Sequence, residues 1–141
     1  MTPQQVALVQ TSFAKVVPIA GTAATLFYDR LFEIAPAVRP MFPADLSEQK
    51  KKLMAMLGTV VAGLSRPDTL MPAVRALGER HAGYGAKAEH FAPVGTALLW
   101  TLERGLGDDF TPEVREAWTT AYGVLSQGMI DAMTRKVSMA A

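Results

Sequence analysis

Apolar residues recur at helical spacing along almost the whole chain. Val6, Val9, Phe13 and Val16 fall three or four positions apart in the first segment, and Ala20, Ala24, Phe27, Leu31 and Ile34 continue the rhythm in the second. No comparable period-two stretch occurs, so the pattern predicts an all-α fold. Pro18 suits the first turn of the second helix and Pro36 ends it. Pro40 and Pro43 then restrict the chain to a short turn or 3₁₀ piece, leaving a corner that bears Phe42. Asp45 with Glu48 three residues later reads as an N-cap with its reciprocal acceptor. It opens a helix through Leu53, Met56, Leu57, Val60 and Leu64 that Pro67-Asp68 breaks. A helix from about Asp68 sets Val74, Leu77 and His81 on one apolar stripe, so the imidazole is expected to point inward. Gly83 and Gly85 stop it, and a helix over about residues 89–105 presents Phe91, Val94, Leu98 and Leu102. Thr111-Pro112-Glu113 combines an N-cap, a proline at the first helical position and an acid placed for the helix dipole. The last helix follows with Val114, Trp118, Tyr122, Leu125, Met129 and Met133.

Composition narrows the functional classes. At 141 residues the chain fits one domain, too short to carry a reductase domain as well, and no Gly-rich dinucleotide fingerprint is present. Apolar residues make up 50% of it, enough to line an internal pocket as well as a core. The net charge of +1 comes from dispersed Lys and Arg, with no basic stripe for a phosphate backbone, so nucleic acid is not an expected partner. With no Cys there is no disulfide, thiolate metal site, cysteine nucleophile or c-type heme attachment. Gln4, Gln5, Gln10, Thr11, Ser12 and Lys15 interrupt the first twenty residues, unlike a signal peptide. The longest mostly apolar run, residues 55–64, is about half of what a bilayer span needs. A cytoplasmic protein with no membrane partner is expected.

Three runs carry a resemblance: Leu26-Phe27-Tyr28-Asp29-Arg30-Leu31-Phe32, Ala37-Val38-Arg39-Pro40-Met41-Phe42 and Ala117-Trp118-Thr119-Thr120-Ala121-Tyr122-Gly123-Val124-Leu125. Between the second and third stand Gln49-Lys50-Lys51-Lys52-Leu53 and Leu77-Gly78-Glu79-Arg80-His81-Ala82-Gly83-Tyr84. In order and spacing the chain resembles single-domain bacterial hemoglobins, and the globin domains of flavohemoglobins are similar. The likeness extends to about residue 135. It implies one globin domain over residues 1–141 with a short tail at about 136–141, and seven to eight helices around a heme pocket.

The resemblance also implies roles. Heme b, held without covalent links, would take its iron ligand from His81, whose second ring nitrogen needs an acceptor to fix the ring. Phe42 would cover the porphyrin, with Leu53, Lys52, Arg80 and Phe91 as further cofactor contacts. Tyr28, Gln49 and Leu53 would surround a gas ligand (O₂, NO or CO), with Leu57, Phe27 and Leu31 completing the wall. If the phenol and the amide each contribute about 1.5–3 kcal/mol to holding O₂, losing either raises the dissociation constant roughly tenfold to a hundredfold. High oxygen affinity is the expectation. Read alone, each residue has a plainer explanation. His81 can be a hydrogen-bonded core residue, Phe42 an ordinary core aromatic, Tyr28 a solvent-facing phenol, and Gln49 to Lys52 a solvated helix face. His90 reads as a corner residue. Flavohemoglobins carry a tyrosine and a glutamate behind the proximal histidine; the corresponding positions here are Phe91 and Met133, neither able to accept from imidazole. The expected acceptor is a backbone carbonyl one turn back, near Leu77, which favours reversible binding over peroxidase-like cleavage. The alternative activity is nitric oxide dioxygenation with a separate reductase.

Overall fold

The computed structural model describes the backbone of residues 1–140 and side chains to residue 135. Six α-helices are present: α1 (Pro3–Val16), α2 (Ala20–Ile34), α3 (Ser47–Gly63), α4 (Pro67–Gly83), α5 (Phe91–Leu106) and α6 (Pro112–Ala140). Four 3₁₀ segments join them, and no strand occurs among the described residues. The all-α expectation holds, and a count of seven to eight helices is reached only by including 3₁₀ segments. The longest of these is Pro36–Met41, where Pro36 and Pro40 forbid α-helical hydrogen bonding. The backbone of α6 continues through the expected tail as far as Ala140. Residue 141 lies outside the described residues.

Helix ends follow local chemistry, some of it missed in the sequence. Thr2 and Gln5 form a reciprocal capping box at α1, Gln5 N–H donating to Thr2 Oγ1 at 3.1 Å and Thr2 N–H to Gln5 Oε1 at 3.0 Å. Asp45 is not the N-cap of α3. Its Oδ1 accepts from Ser47 N–H at 2.9 Å and Ser47 Oγ at 2.7 Å, a local turn that moves the cap to Leu46 and the first helical residue to Ser47. Those two bonds hold the Asp45 carboxyl below the usual carboxylate range. Gln49 consequently sits in the first turn of α3. Thr111 caps α6 as expected, its Oγ1 accepting from Val114 N–H at 3.2 Å.

The main core lies among α1, α2, α5 and α6, where Val9, Phe13, Phe27, Leu31, Leu98, Leu102 and Trp118 are buried together. A second cluster of Val60, Leu70, Val74, Leu125 and Met129 joins α3, α4 and α6. α4 packs chiefly on α6, and glycines permit the close approach. A Cβ on Gly78 would meet Met129 O at 2.6 Å, and one on Gly128 would meet Val74 Cγ1 at 2.8 Å. This crossing fixes the helix that carries His81.

The stretch Pro3–Ile34 is long and apolar enough, by length and composition alone, to cross a membrane. Small residues raise its mean hydropathy without making a continuous apolar run. Folded, it is two helices that give Val9, Phe13, Val16, Phe27 and Leu31 to the core.

Candidate functional site

Tyr28 lies on the buried face of α2, with 3% of its surface exposed, which rules out a solvent-facing phenol. Aromatic rings fix its orientation. Phe27 and Phe42 meet it edge-on with centroids 5.0 and 5.6 Å away, and Phe32 packs at 5.9 Å. From the first turn of α3, Gln49 Nε2 donates to the phenol oxygen at 3.2 Å. Burial pushes the Tyr28 phenol up from its ordinary value, only partly offset by the Gln49 bond, so it stays protonated. Its own proton has no acceptor among the described residues. A buried O–H donor with its oxygen anchored and its hydrogen unspent suits a small polar or polarisable acceptor.

Phe42 is half-buried and belongs to the same aromatic group, its ring 5.5 Å from Phe32. What holds this corner was missed in the sequence. Arg39 Nη1 donates to the carbonyls of Phe42 at 3.2 Å and Pro43 at 3.1 Å, and its Nη2 to Ala44 at 3.3 Å. The guanidinium also lies 4.9 Å from the centre of the Phe32 ring. An arginine inside a proline-bracketed segment, with no acid nearby to pair with, was the available signal. Leu53 is half-buried one turn after Gln49 and packs against the main core.

His81 occupies the last turn of α4 and is half-buried. Its Nδ1 is 2.8 Å from the carbonyl of Leu77, the acceptor expected one turn back. The bond assigns the proton to Nδ1 and leaves Nε2 as a lone-pair donor without a partner among the described residues. Burial is the main influence on the ring and lowers its pKa, the Leu77 bond opposes this, and the Arg80 charge lowers it further. Imidazole is therefore held neutral, the form that binds a metal. The turn behind it is fixed by Tyr84 N–H on the carbonyls of Arg80 and His81, by Ala86 N–H on His81, and by Gly85 at φ +85°. Tyr84 meets the imidazole edge-on at 5.7 Å.

Phe91 is half-buried and packs with the second core cluster. Its carbonyl accepts from Tyr122 Oη at 2.6 Å, which spends the half-buried phenol of α6 away from His81. Met133 is buried. His90 Nδ1 accepts from Lys87 N–H at 3.0 Å, consistent with a corner residue. Lys52 and Arg80 are exposed. The structure thus assembles Tyr28, Gln49 and Phe42 as one group and His81 with Leu77 as another. No cluster of three His, Cys, Asp or Glu capable of holding a bare metal ion occurs among the described residues. One neutral histidine nitrogen suits a metal that arrives with most of its coordination already supplied, as iron does in a porphyrin. The chemistry of both groups fits heme.

The globin family model matches residues 25–129. A flavohemoprotein of Bacillus subtilis is 35% identical over 107 residues, covering 74% of this chain and 27% of that protein. A flavohemoprotein of Bordetella parapertussis is 32% identical over 134 residues, covering 92% of this chain and 33% of that protein. The chain spans about a third or less of these relatives. Among solved structures, a bacterial globin from Campylobacter jejuni superposes with a TM-score of 0.85 at 22% identity, covering 97% of this chain and 99% of the other. An engineered carbene transferase made from a candidate nitric oxide dioxygenase of Rhodothermus marinus superposes with a TM-score of 0.88 at 24% identity, covering 99% and 98%. At these identities the structural likenesses bear on the fold alone.

Proposed function

The chain belongs to the globin family and has its fold, and from that premise we propose that it is a heme b globin that binds dioxygen reversibly and with high affinity. Heme binding is the family's property. The finer reading concerns these residues. His81 is the metal ligand through Nε2, Tyr28 donates to the gas ligand from the opposite side, and Gln49 supports Tyr28. Phe42, Leu53 and Phe91 supply apolar contacts to the cofactor, with Lys52 and Arg80 near its carboxylates. Heme supplies the iron that binds O₂, NO or CO. The carrying observation is the His81 ring, with Nδ1 bonded to the Leu77 carbonyl and Nε2 unspent. A carbonyl is a weaker acceptor than a carboxylate, so the imidazole keeps its neutral character, which supports reversible binding over bond cleavage. With no Cys, thioether attachment of the cofactor is excluded. We place the protein in the bacterial cytoplasm, as one globin domain over residues 1–141.

A second reading is nitric oxide dioxygenation sustained by a separate reductase. It is favoured by the flavohemoprotein relatives. Two measurements separate the proposals. Absorption spectra of the heme-loaded protein should show a five-coordinate ferrous form and a stable oxygen complex, with heme uptake lost in His81→Ala. No uptake, or a ferrous form already six-coordinate, rejects the gas-binding reading. Sustained NO consumption with NADH and an added reductase supports the second reading, and ferric protein accumulating after one turnover rejects it.

A further inference from the structure

With no Cys, two Trp and three Tyr in the chain, five aromatic side chains are the ones from which a single electron is most easily removed. Four of them are shielded. Tyr28 and Trp118 are each 3% exposed, and the indole N–H of Trp118 donates to Ser12 Oγ at 2.8 Å. Tyr122 Oη donates to the Phe91 carbonyl at 2.6 Å, and an amide oxygen is too weak a base to take the proton that an oxidised phenol must release. Trp100 is half-buried, with the guanidinium of Arg30 5.2 Å and that of Arg104 4.3 Å from its ring centre. Two positive charges so close oppose the appearance of a third on the indole.

Tyr84 is the exception. It stands just past the end of α4 and is 67% exposed, yet its ring meets the His81 imidazole edge-on with centroids 5.7 Å apart. The backbone fixes that contact. Tyr84 N–H donates to the carbonyls of Arg80 and His81 at 3.1 Å each, and Gly85 at φ +85° turns the chain away immediately afterwards. One side of the phenol ring therefore touches the residue proposed to bind iron, and the rest faces water. Water at the exposed hydroxyl can take a proton, which the surroundings of Tyr28 and Tyr122 do not allow.

We infer that Tyr84 is an electron donor to oxidised heme through His81, and that it is the site at which two copies of this chain become covalently joined when hydrogen peroxide is the oxidant. The inference rests on the heme-binding function proposed above. Each Tyr84 gives one electron through the imidazole contact and its phenolic proton to water. Two electrons and two protons reduce one hydrogen peroxide, whose O–O bond breaks to leave two waters. The two phenoxyl rings then couple through a new C–C bond between carbons ortho to oxygen. Each ring's ortho hydrogen moves to its own oxygen, which restores both phenols as dityrosine. The Leu77 carbonyl makes peroxide cleavage slow compared with a carboxylate-bonded imidazole. That sets the rate of the reaction and leaves its end point at Tyr84.

The test treats heme-loaded ferric protein with hydrogen peroxide and resolves it on a denaturing gel. A covalent dimer with dityrosine fluorescence is expected. Cleavage after Lys and Arg leaves Tyr84 as the sole tyrosine of peptide 81–87, so mass spectrometry should find two such peptides joined. Tyr84→Phe keeps a ring against His81 and should lose the dimer. Should that variant fail to take up heme, the wild-type peptide map decides alone. Ferric protein saturated with cyanide, which closes the iron to peroxide, should form no dimer. No dimer from the heme-loaded wild type, a cross-link at Tyr28 or Tyr122, or a dimer that survives in Tyr84→Phe overturns the assignment, and so does a dimer that forms equally under cyanide. A chain that takes up no heme overturns the functional reading and this inference together, whereas heme uptake without a Tyr84 cross-link overturns this inference alone.

Discussion

Replacing Tyr28 with phenylalanine isolates one hydroxyl in a pocket that is otherwise kept by packing. The ring is held by Phe27, Phe32 and Phe42, and phenylalanine retains those contacts. The loss is then the donor hydrogen and one 3.2 Å bond from Gln49. A hydrogen bond to an acceptor with charged character contributes about 1.5–3 kcal/mol, so oxygen release should accelerate roughly tenfold to a hundredfold. Gln49 needs separate treatment, because its amide donates to the phenol oxygen. If it works by aligning Tyr28, Gln49→Leu removes a neutral bond worth about 0.5–1.5 kcal/mol, a release rate up roughly twofold to tenfold. Once Tyr28 is gone the alignment has no object, so the double variant should release oxygen nearly as Tyr28→Phe does. Stopped-flow displacement of O₂ by CO on the four proteins gives the coupling directly. Effects that simply add would refute action through Tyr28, and an unchanged rate in Tyr28→Phe would refute the distal placement altogether.

Other consequences follow from the same geometry. Gly78→Ala drives a Cβ to within 2.6 Å of Met129 O. It should destabilise the fold by about 1–3 kcal/mol and weaken heme retention, because α4 must move off α6; urea melts and heme transfer to an acceptor protein measure the two. Trp118→Phe removes the indole N–H from Ser12 and leaves space beside it, so a loss of about 1–3 kcal/mol is expected in urea denaturation. His81 makes stability depend on pH. Its pKa is lower folded than unfolded, where it is 6.5, so below 6.5 the unfolded chain binds more protons. Its contribution is fully present above 6.5 and is lost as pH falls towards the folded value. Cofactor-free protein should therefore lose stability from pH 7.5 to 5.5, and His81→Gln should lose less; parallel curves would remove His81 as the cause. Arg39→Ala releases three carbonyls at the Phe42 corner, and should broaden the ferrous CO stretching band as Phe42 and Tyr28 lose their fixed positions. A band as narrow as that of the wild type counts against the corner's role.

The sequence by itself determined where helices run and where most of them stop, because a 3.6-residue rhythm and the backbone limits of proline and glycine act between near neighbours. It also put His81 on the apolar stripe with Leu77 behind it, since residues four apart on a helix share a face. Asp45 shows the limit even for local signals, as a side chain bonding two residues ahead moved the cap by one position. Tertiary structure decided the rest. Tyr28 and Gln49 meet across 21 positions and Trp118 and Ser12 across 106. The approach of α4 to α6 depends on glycines whose purpose appears only when the helices cross. Such pairings are set by crossing angles and by which side chains interdigitate. No rhythm along one helix carries that information, because it belongs to two surfaces at once.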